Sequence, residues 1–268
     1  MIDITDLNIQ QKLADYLKRE RLEKINNQCE VFEFKDTIYS KYIKRLIDIL
    51  IAFPAFVITL PINAVLGLLT FFILGNPIFF KQERIGKNGV PFKLVKFRNM
   101  TDECDENGEL LPAQKRLTKF GMFVRKTSLD ELLNFWSVLK GDMSIIGPRA
   151  LPRIYYERYN TRHALRLKVK PGLECPPRSL NANERSWHEQ FENDCWYVQN
   201  ISFKTDCYLA IQLIRFTFDK KNAKMRAQCK KGSFIGYGLD GKAISNYDLD
   251  MEYIRNIIDK TNSSGMAL

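Results

Sequence analysis

The chain has 268 residues with 41 Lys and Arg against 31 Asp and Glu, a formal net charge of +10. That length buries a real core as one main domain with appendages, or at most two domains. The excess of positive charge excludes nothing by itself but favours an anionic partner: nucleic acid, a phospholipid surface or a phosphorylated small molecule. Cysteines at 29, 104, 175, 195, 207 and 229 form no C-x-x-C pair and no tight cluster with histidine at zinc spacing, so they read as reduced thiols facing a cytosolic environment.

In chain order, residues 1–40 are expected to form an amphipathic extension, with Leu13, Tyr16, Leu17, Leu22 and Ile25 as its apolar stripe and a solvated face of mixed charge. The start, MIDITDLNIQ, lacks the features of a cleavable signal. From Ile49 to Phe80, a run of 32 positions carries no charge. Residues 41–80 therefore read as a membrane segment rather than a buried helix pair. Pro61 is expected to break the helix near its middle, leaving halves of about 18 Å at about 1.5 Å per residue, too short to cross about 30 Å of hydrocarbon. Basic residues stand on both flanks: Lys41, Lys44 and Arg45 before, Lys81, Arg84 and Lys87 after. Both ends then look cytoplasmic, as a re-entrant hairpin requires, with an unbroken or proline-kinked spanning helix as the alternative, since length alone does not decide.

Next come two short strands, Pro77–Lys81 and Phe92–Phe97, about a turn at Lys87-Asn88-Gly89. The acidic loop TDECDENGELLPAQ does not match a calcium-binding loop, because Cys104 and Gly108 fall at the wrong positions. Residues 114–140 read as helix in two pieces broken near Lys126-Thr127-Ser128. At the start of the second piece stand Asp130 and Glu131, with Ser128 as N-cap and Glu131 closing a capping box. Taken alone, the pair reads first as a helix cap and second as catalytic carboxylates. Gly147-Pro148-Arg149 forms a turn that aims an arginine.

Arg162, Arg166, Lys168 and Lys170 suit anionic headgroups, a solvated basic face being the alternative. His163 and His188 are read as isolated histidines and not as ligands or bases. Ser202–Phe218 is a further apolar helix, of the membrane interface or of the core. Residues 221–268 read as a polar tail with a frayed end.

The order of these segments carries a resemblance: a basic flank, an apolar run with a central proline, KQERIGKNGVPFKLVKFRNM, the DENGEL loop, SLDELLNFWSVLKGDMSIIGPR, then KVKPG. Over about residues 41–218 the chain resembles the bacterial sugar transferases known as monotopic phosphoglycosyl transferases. The resemblance implies a mostly helical α+β protein: a re-entrant membrane hairpin on a compact cytosolic catalytic domain, residues 81–220, with a small β-hairpin and interfacial amphipathic helices. It implies transfer of a sugar phosphate from a UDP-sugar to a polyprenyl phosphate, undecaprenyl phosphate in bacteria, with release of UMP and a requirement for Mg2+. It implies a place on the cytosolic face of the bacterial inner membrane, against anionic lipid.

By the same resemblance, Asp130 is the nucleophile of a covalent phosphosugar intermediate and Glu131 steadies the metal or moves a proton, so both are candidate Mg2+ ligands. Lys96, Arg98, Arg125 and Arg149 share the charge of the diphosphate. Asp142 has a supporting role, and Pro61 is the membrane kink, with Leu60 where the family has serine. No nucleic-acid recognition motif is present, which sets that partner aside. One stretch departs from the pattern. After Pro171-Gly172 the chain reads LECPPRSLNANERSW instead of a Gly-Trp-Ala-Gln-Val stretch, and Ala182 stands where an arginine is expected. This motivates the alternative of a catalytically altered, membrane-anchored partner or regulator of a glycan pathway.

Overall fold

A computed structural model describes residues 4–106, 108, 110–111, 113–176, 186–218 and 232–263. Ala182, most of the divergent stretch after Cys175 and the last five residues lie outside them. Over the described residues the protein is mostly helical, with three small two-stranded sheets.

The apolar run forms one helix, α3 (Lys44–Leu74; α1 and α2 precede it, below), whose outward side chains include Ile58, Leu68 and Phe72. It is long and apolar enough to cross a membrane. The expected break at Pro61 is not seen: α3 runs without interruption through Pro54 and Pro61. Each proline removes one backbone donor, and just upstream of Pro61 the Thr59 hydroxyl donates to the carbonyls of Ala55 and Phe56.

The body beside α3 opens with a hairpin, β1 (Phe79–Ile85) against β2 (Pro91–Phe97), in register from Phe79 opposite Phe97 to Ile85 opposite Pro91. The turn falls at Lys87–Gly89, as expected, while β1 begins two residues later than the sequence suggests. After α4 (Ala113–Arg116) come α5 (Lys119–Thr127) and α6 (Asn134–Lys140). Strands β3 (Ser144–Ile146) and β4 (Gly172–Glu174) pair in parallel. Here Gly147 and Gly172 must both be glycine, since a Cβ on Gly172 would lie 2.2 Å from the Gly147 nitrogen. Helices α7 (Trp187–Gln199, opened by a Ser186–Glu189 capping box) and α8 (Phe203–Phe218) close the body.

Both ends of α3 are tied to this body. Arg45 donates to the carbonyls of Val138 and Leu139 at 2.6 and 2.8 Å, and buried Asp48 accepts from the Ser144 hydroxyl and the Ile145 amide. At the other end Arg98 donates to the carbonyls of Leu74 and Gly75. Leu66 packs with Phe97 and Val124, and Ala52 with Leu94, Val138 and Met143. Lys44 and Asp206 form an ion pair at 2.6 Å, their side chains only 10% and 12% exposed, and the hydroxyls of Tyr39 and Tyr197 complete the carboxylate's shell.

The two termini fold against each other. Helix α1 (Leu7–Leu17), followed by α2 (Glu23–Gln28), packs its Leu13 on Ile254 and Ile257 of α9 (Met251–Ser263), and its Ala14 and Leu17 on Ile235 of the hairpin β5 (Phe234–Tyr237) and β6 (Ala243–Ser245). Phe234 then enters an aromatic cluster of Tyr155, Tyr159, Trp187 and Phe191. The tail expected to be merely polar is thus ordered from Gly232 to Ser263, because its apolar positions find partners more than 200 residues away.

Two further expectations are corrected. In the supposed headgroup cluster, Arg166 is buried against Asp194 at 2.7 Å and Arg162 forks onto Glu192 at 2.7 and 2.6 Å. These arginines hold the body together instead of facing lipid. His163 is not isolated: its ring lies between the Tyr237 hydroxyl at 2.9 Å and Glu192 at 3.1 Å, beside the His188 ring. The Tyr237 hydroxyl also accepts from the Asn160 amide at 2.9 Å, so one hydrogen-bonded chain runs through the three groups.

Candidate active site

The pair Asp130-Glu131 sits between α5 and α6, on a tight turn from Leu129 to Glu131. Ser128 does not cap it. The residue is left-handed at φ 57° and ends α5, its amide returning to the Arg125 carbonyl at 3.2 Å. The capping box read from the sequence is therefore absent, and α6 begins only at Asn134. The S-x-x-E spacing is the same in both cases. What decides is that Glu131 has stronger partners than a backbone amide.

Those partners are Lys96 of β2 and Arg149 of the turn after β3, each 2.7 Å from Glu131 Oε1. Arg149 also donates to Glu174 of β4 at 2.5 Å, and Glu174 in turn accepts from the Cys175 amide. Leu129, Leu132 and Leu133 pack against Leu66, Phe97 and Val124, which holds the turn down and fixes where its carboxylates project. Asp130, 6% exposed, accepts from the Asn99 side-chain amide at 3.3 Å. Asn99 accepts from Arg125 Nε at 3.2 Å.

The environments push the two carboxyls apart. Burial, the largest influence, raises Asp130 above the ordinary aspartate range, with Glu131's charge adding to it and Lys96 and Arg125 opposing. Burial acts the same way on Glu131, but Arg149 and Lys96 outweigh it and hold that carboxyl well below its usual range. Glu131 and Glu174 keep the Arg149 proton firmly in place. Nearby Arg84, buried and repelled by Arg149, is lowered to about 10, and donates to the Ala150 carbonyl at 3.0 Å.

Of the residues singled out in the sequence, Asp130, Glu131, Lys96 and Arg149 converge, with Arg125 joined through Asn99. Arg98 is placed elsewhere: it closes the C-terminal end of α3 and pairs with Asp102 at 2.6 Å. Asp142 pairs with Lys140 at 2.6 Å and makes no hydrogen bond to either carboxylate of the pair. Pro61 lies within α3. The sequence reading missed Asn99 and Glu174. Asn99 follows the basic end of the hairpin, a position that carried some signal, whereas nothing local marks Glu174.

Two adjacent carboxylates, one acidic and cation-bound, the other buried and raised, suit a nucleophile beside a charge-holding partner. Residues 39–220 match the bacterial sugar transferase family. The chain is 40% identical over 200 residues to the uncharacterized sugar transferase EpsL of Bacillus subtilis, covering 73% of this chain and 97% of that protein. It is 31% identical over 182 residues, 65% of its length, to the UDP-N-acetylgalactosamine-undecaprenyl-phosphate N-acetylgalactosaminephosphotransferase of Aeromonas hydrophila. It is 36% identical over 163 residues, 58% of its length, to the UDP-glucose:undecaprenyl-phosphate glucose-1-phosphate transferase of Klebsiella pneumoniae. The matches cover 43% and 35% of those two longer proteins. With more than half of its length matched, the chain belongs to the bacterial sugar transferase family, the sugar-phosphate (phosphoglycosyl) transferases.

Proposed function

We propose that this protein transfers a sugar 1-phosphate from a UDP-sugar to undecaprenyl phosphate, releasing UMP and starting the assembly of a membrane-bound glycan. The observation that carries the reading is the convergence of Lys96 and Arg149 on Glu131 beside the buried Asp130, within a chain of this family. Asp130, ionised, attacks the phosphorus that bears the sugar. The bond from that phosphorus to the UMP oxygen breaks, UMP departs, and an aspartyl phosphosugar remains. An oxygen of undecaprenyl phosphate then attacks the same phosphorus, Asp130 leaves as the carboxylate, and the lipid diphosphate sugar forms. Lys96 and Arg149 lie where they can take up charge on the phosphoryl oxygens, and Arg125 stands behind Asp130.

Magnesium fits the residues present. Asp130 and Glu131 bring two carboxylates together on one tight turn, and carboxylate oxygens are the donors this ion prefers. When bound, it offsets the charge of the diphosphate; Asp130 and Glu131 would hold it.

A re-entrant placement belongs to the same proposal. A helix of 31 residues is about 46 Å long if straight, and crossing about 30 Å of hydrocarbon would put its ends on opposite faces. The bonds from Arg45 at one end of α3 to the body, and from the body's Arg98 to the carbonyls at the other end, support both ends on the cytosolic face. The exposed Phe203, Ile211 and Ile214 of α8 offer a second contact with an anionic lipid surface.

The test is UMP release by the purified protein with undecaprenyl phosphate and a panel of UDP-sugars, with Mg2+ and with chelator. Turnover that requires Mg2+ and is lost in Asp130→Asn supports the reading. Full activity of Asp130→Asn overturns the assignment of the nucleophile. No turnover on any sugar overturns the function.

A further inference from the structure

We infer that Asn99 and Arg125 form a positioning relay for Asp130, so that Arg125 acts on the reaction through the Asn99 amide and not as a direct ligand of the substrate's phosphates. The inference rests on the nucleophilic role proposed for Asp130.

The geometry leaves the amide one orientation. An arginine side chain only donates, so the Asn99 atom 3.2 Å from Arg125 Nε is the carbonyl Oδ1. That turns Nδ2 toward Asp130, where it donates to Oδ2 at 3.3 Å. A neutral amide on its own can flip, but one locked by a guanidinium cannot present its oxygen to the carboxylate. One oxygen of Asp130 is thereby held, and the rotation of the other is limited. Asn99 is only 8% exposed and so is shielded from competing water.

The backbone is built to make this contact. A Cβ on Gly121 would sit 1.8 Å from the Asn99 carbonyl oxygen, so α5 meets the Asn99 main chain at a distance only glycine allows. Arg125 lies four residues further along α5, on the same face one turn later. The close approach at Gly121 thus delivers Arg125 to the side chain of the residue whose backbone Gly121 touches. Arg125 Nη2 also reaches the Met100 sulfur at 3.5 Å, which further directs the guanidinium toward the 99–100 segment.

The experiment is a double-mutant cycle in the full-length protein: wild type, Asn99→Ala, Arg125→Ala and the double variant, assayed with a UDP-sugar from which wild type releases UMP. A relay predicts that each single change lowers kcat about tenfold or more with KM for the UDP-sugar nearly unchanged. The double variant is then no worse than either single one, since coupled residues depart from additivity. Asn99→Asp keeps an acceptor for Arg125 but replaces the donor with a carboxylate. It should lose at least as much as Asn99→Ala, and it covers the case in which the alanine variant fails to fold.

If Arg125→Ala instead raises KM, by the same factor with and without Asn99, Arg125 binds substrate directly and the relay is overturned. A readout without turnover separates this from failure of the proposed reaction: carbodiimide modification of Asp130, followed by peptide mass spectrometry. A relay predicts that Asn99→Ala and Arg125→Ala change that rate by a common factor, whether or not UMP is released. Rates unchanged in both overturn it. Absence of UMP release from wild type with the labelling effect intact overturns the reaction and leaves the relay supported.

Discussion

Arg149 donates Nη2 to Glu131 and Nη1 to Glu174, at 2.7 and 2.5 Å, so a single guanidinium joins the turn between α5 and α6 to strand β4. Replacing it by alanine leaves Glu174 without its cation and Glu131 with Lys96 alone. We expect Arg149→Ala to reduce kcat/KM by about 100-fold or more and to destabilise the fold by about 2 kcal/mol, on the scale of lost charged hydrogen bonds. Arg149→Lys should recover little of either, because one ammonium cannot fork between two carboxylates. Steady-state kinetics and thermal melts of the two variants check this.

In the reaction proposed above, in which Asp130 attacks as the carboxylate, its raised pKa sets the acid side of the pH profile. The attacking form is the carboxylate, and burial shifts protonation of that group to higher pH than for an ordinary aspartate, about 3.9. Activity is therefore lost as pH falls through a value above that, while Glu131, held low by Arg149 and Lys96, stays ionised throughout the same range. A pH series of kcat shows the limb. A limb at or below the ordinary aspartate value would be inconsistent with Asp130 as the titrating nucleophile.

Gly121→Ala tests the approach of α5 to the hairpin. With the new methyl carbon 1.8 Å from the Asn99 oxygen, the helix must move, and overpacking of this kind typically costs about 1–3 kcal/mol. We expect a lower melting temperature together with a loss of kcat, the second because Arg125 moves with the helix.

Asp206→Ala removes the acceptor shared by Lys44, Tyr39 and Tyr197 at the root of α3. Breaking a buried pair by deleting one partner costs about 3–5 kcal/mol. Denaturant unfolding should show a loss of this order, and Lys44→Met with Asp206→Leu together should recover part of it.

The topology is open to cysteine labelling in a cysteine-depleted chain. Single cysteines near residues 35 and 90 should react from the same side of sealed vesicles. Labelling from opposite sides would reject the re-entrant placement.

The β1–β2 hairpin, the apolar helix and the break at Ser128 were legible because each depends on neighbours in the sequence: alternation, an uncharged run, a failure of helical continuity. Ser128 itself was misread, since a capping box and a left-handed helix end share one local pattern, and Lys96 and Arg149 decide between them from a distance. Asn99 reaches Asp130 across 31 positions and Arg149 reaches Glu174 across 25. Neither pairing leaves a periodic trace. The contact of the termini is more extreme, with Asn246 donating to the Ile4 carbonyl 242 positions away. Arg162 and Arg166 show the reverse error: in sequence they look like a surface charge cluster, whereas Glu192 and Asp194 on α7 tie them to the body and leave Arg166 buried.

The clamps at Arg45 and Arg98 have a mechanical consequence. With both ends of α3 fastened to the body that carries Asp130, the helix and the carboxylate pair are expected to move together as one piece. In a bilayer, thinning or thickening of the lipid can tilt or raise that piece but cannot change the distance from Asp130 to the helix. For the reaction proposed above, the depth at which a lipid-borne phosphate must present itself would then be a property of the protein, built in as a fixed gauge, with the lipid left to adjust.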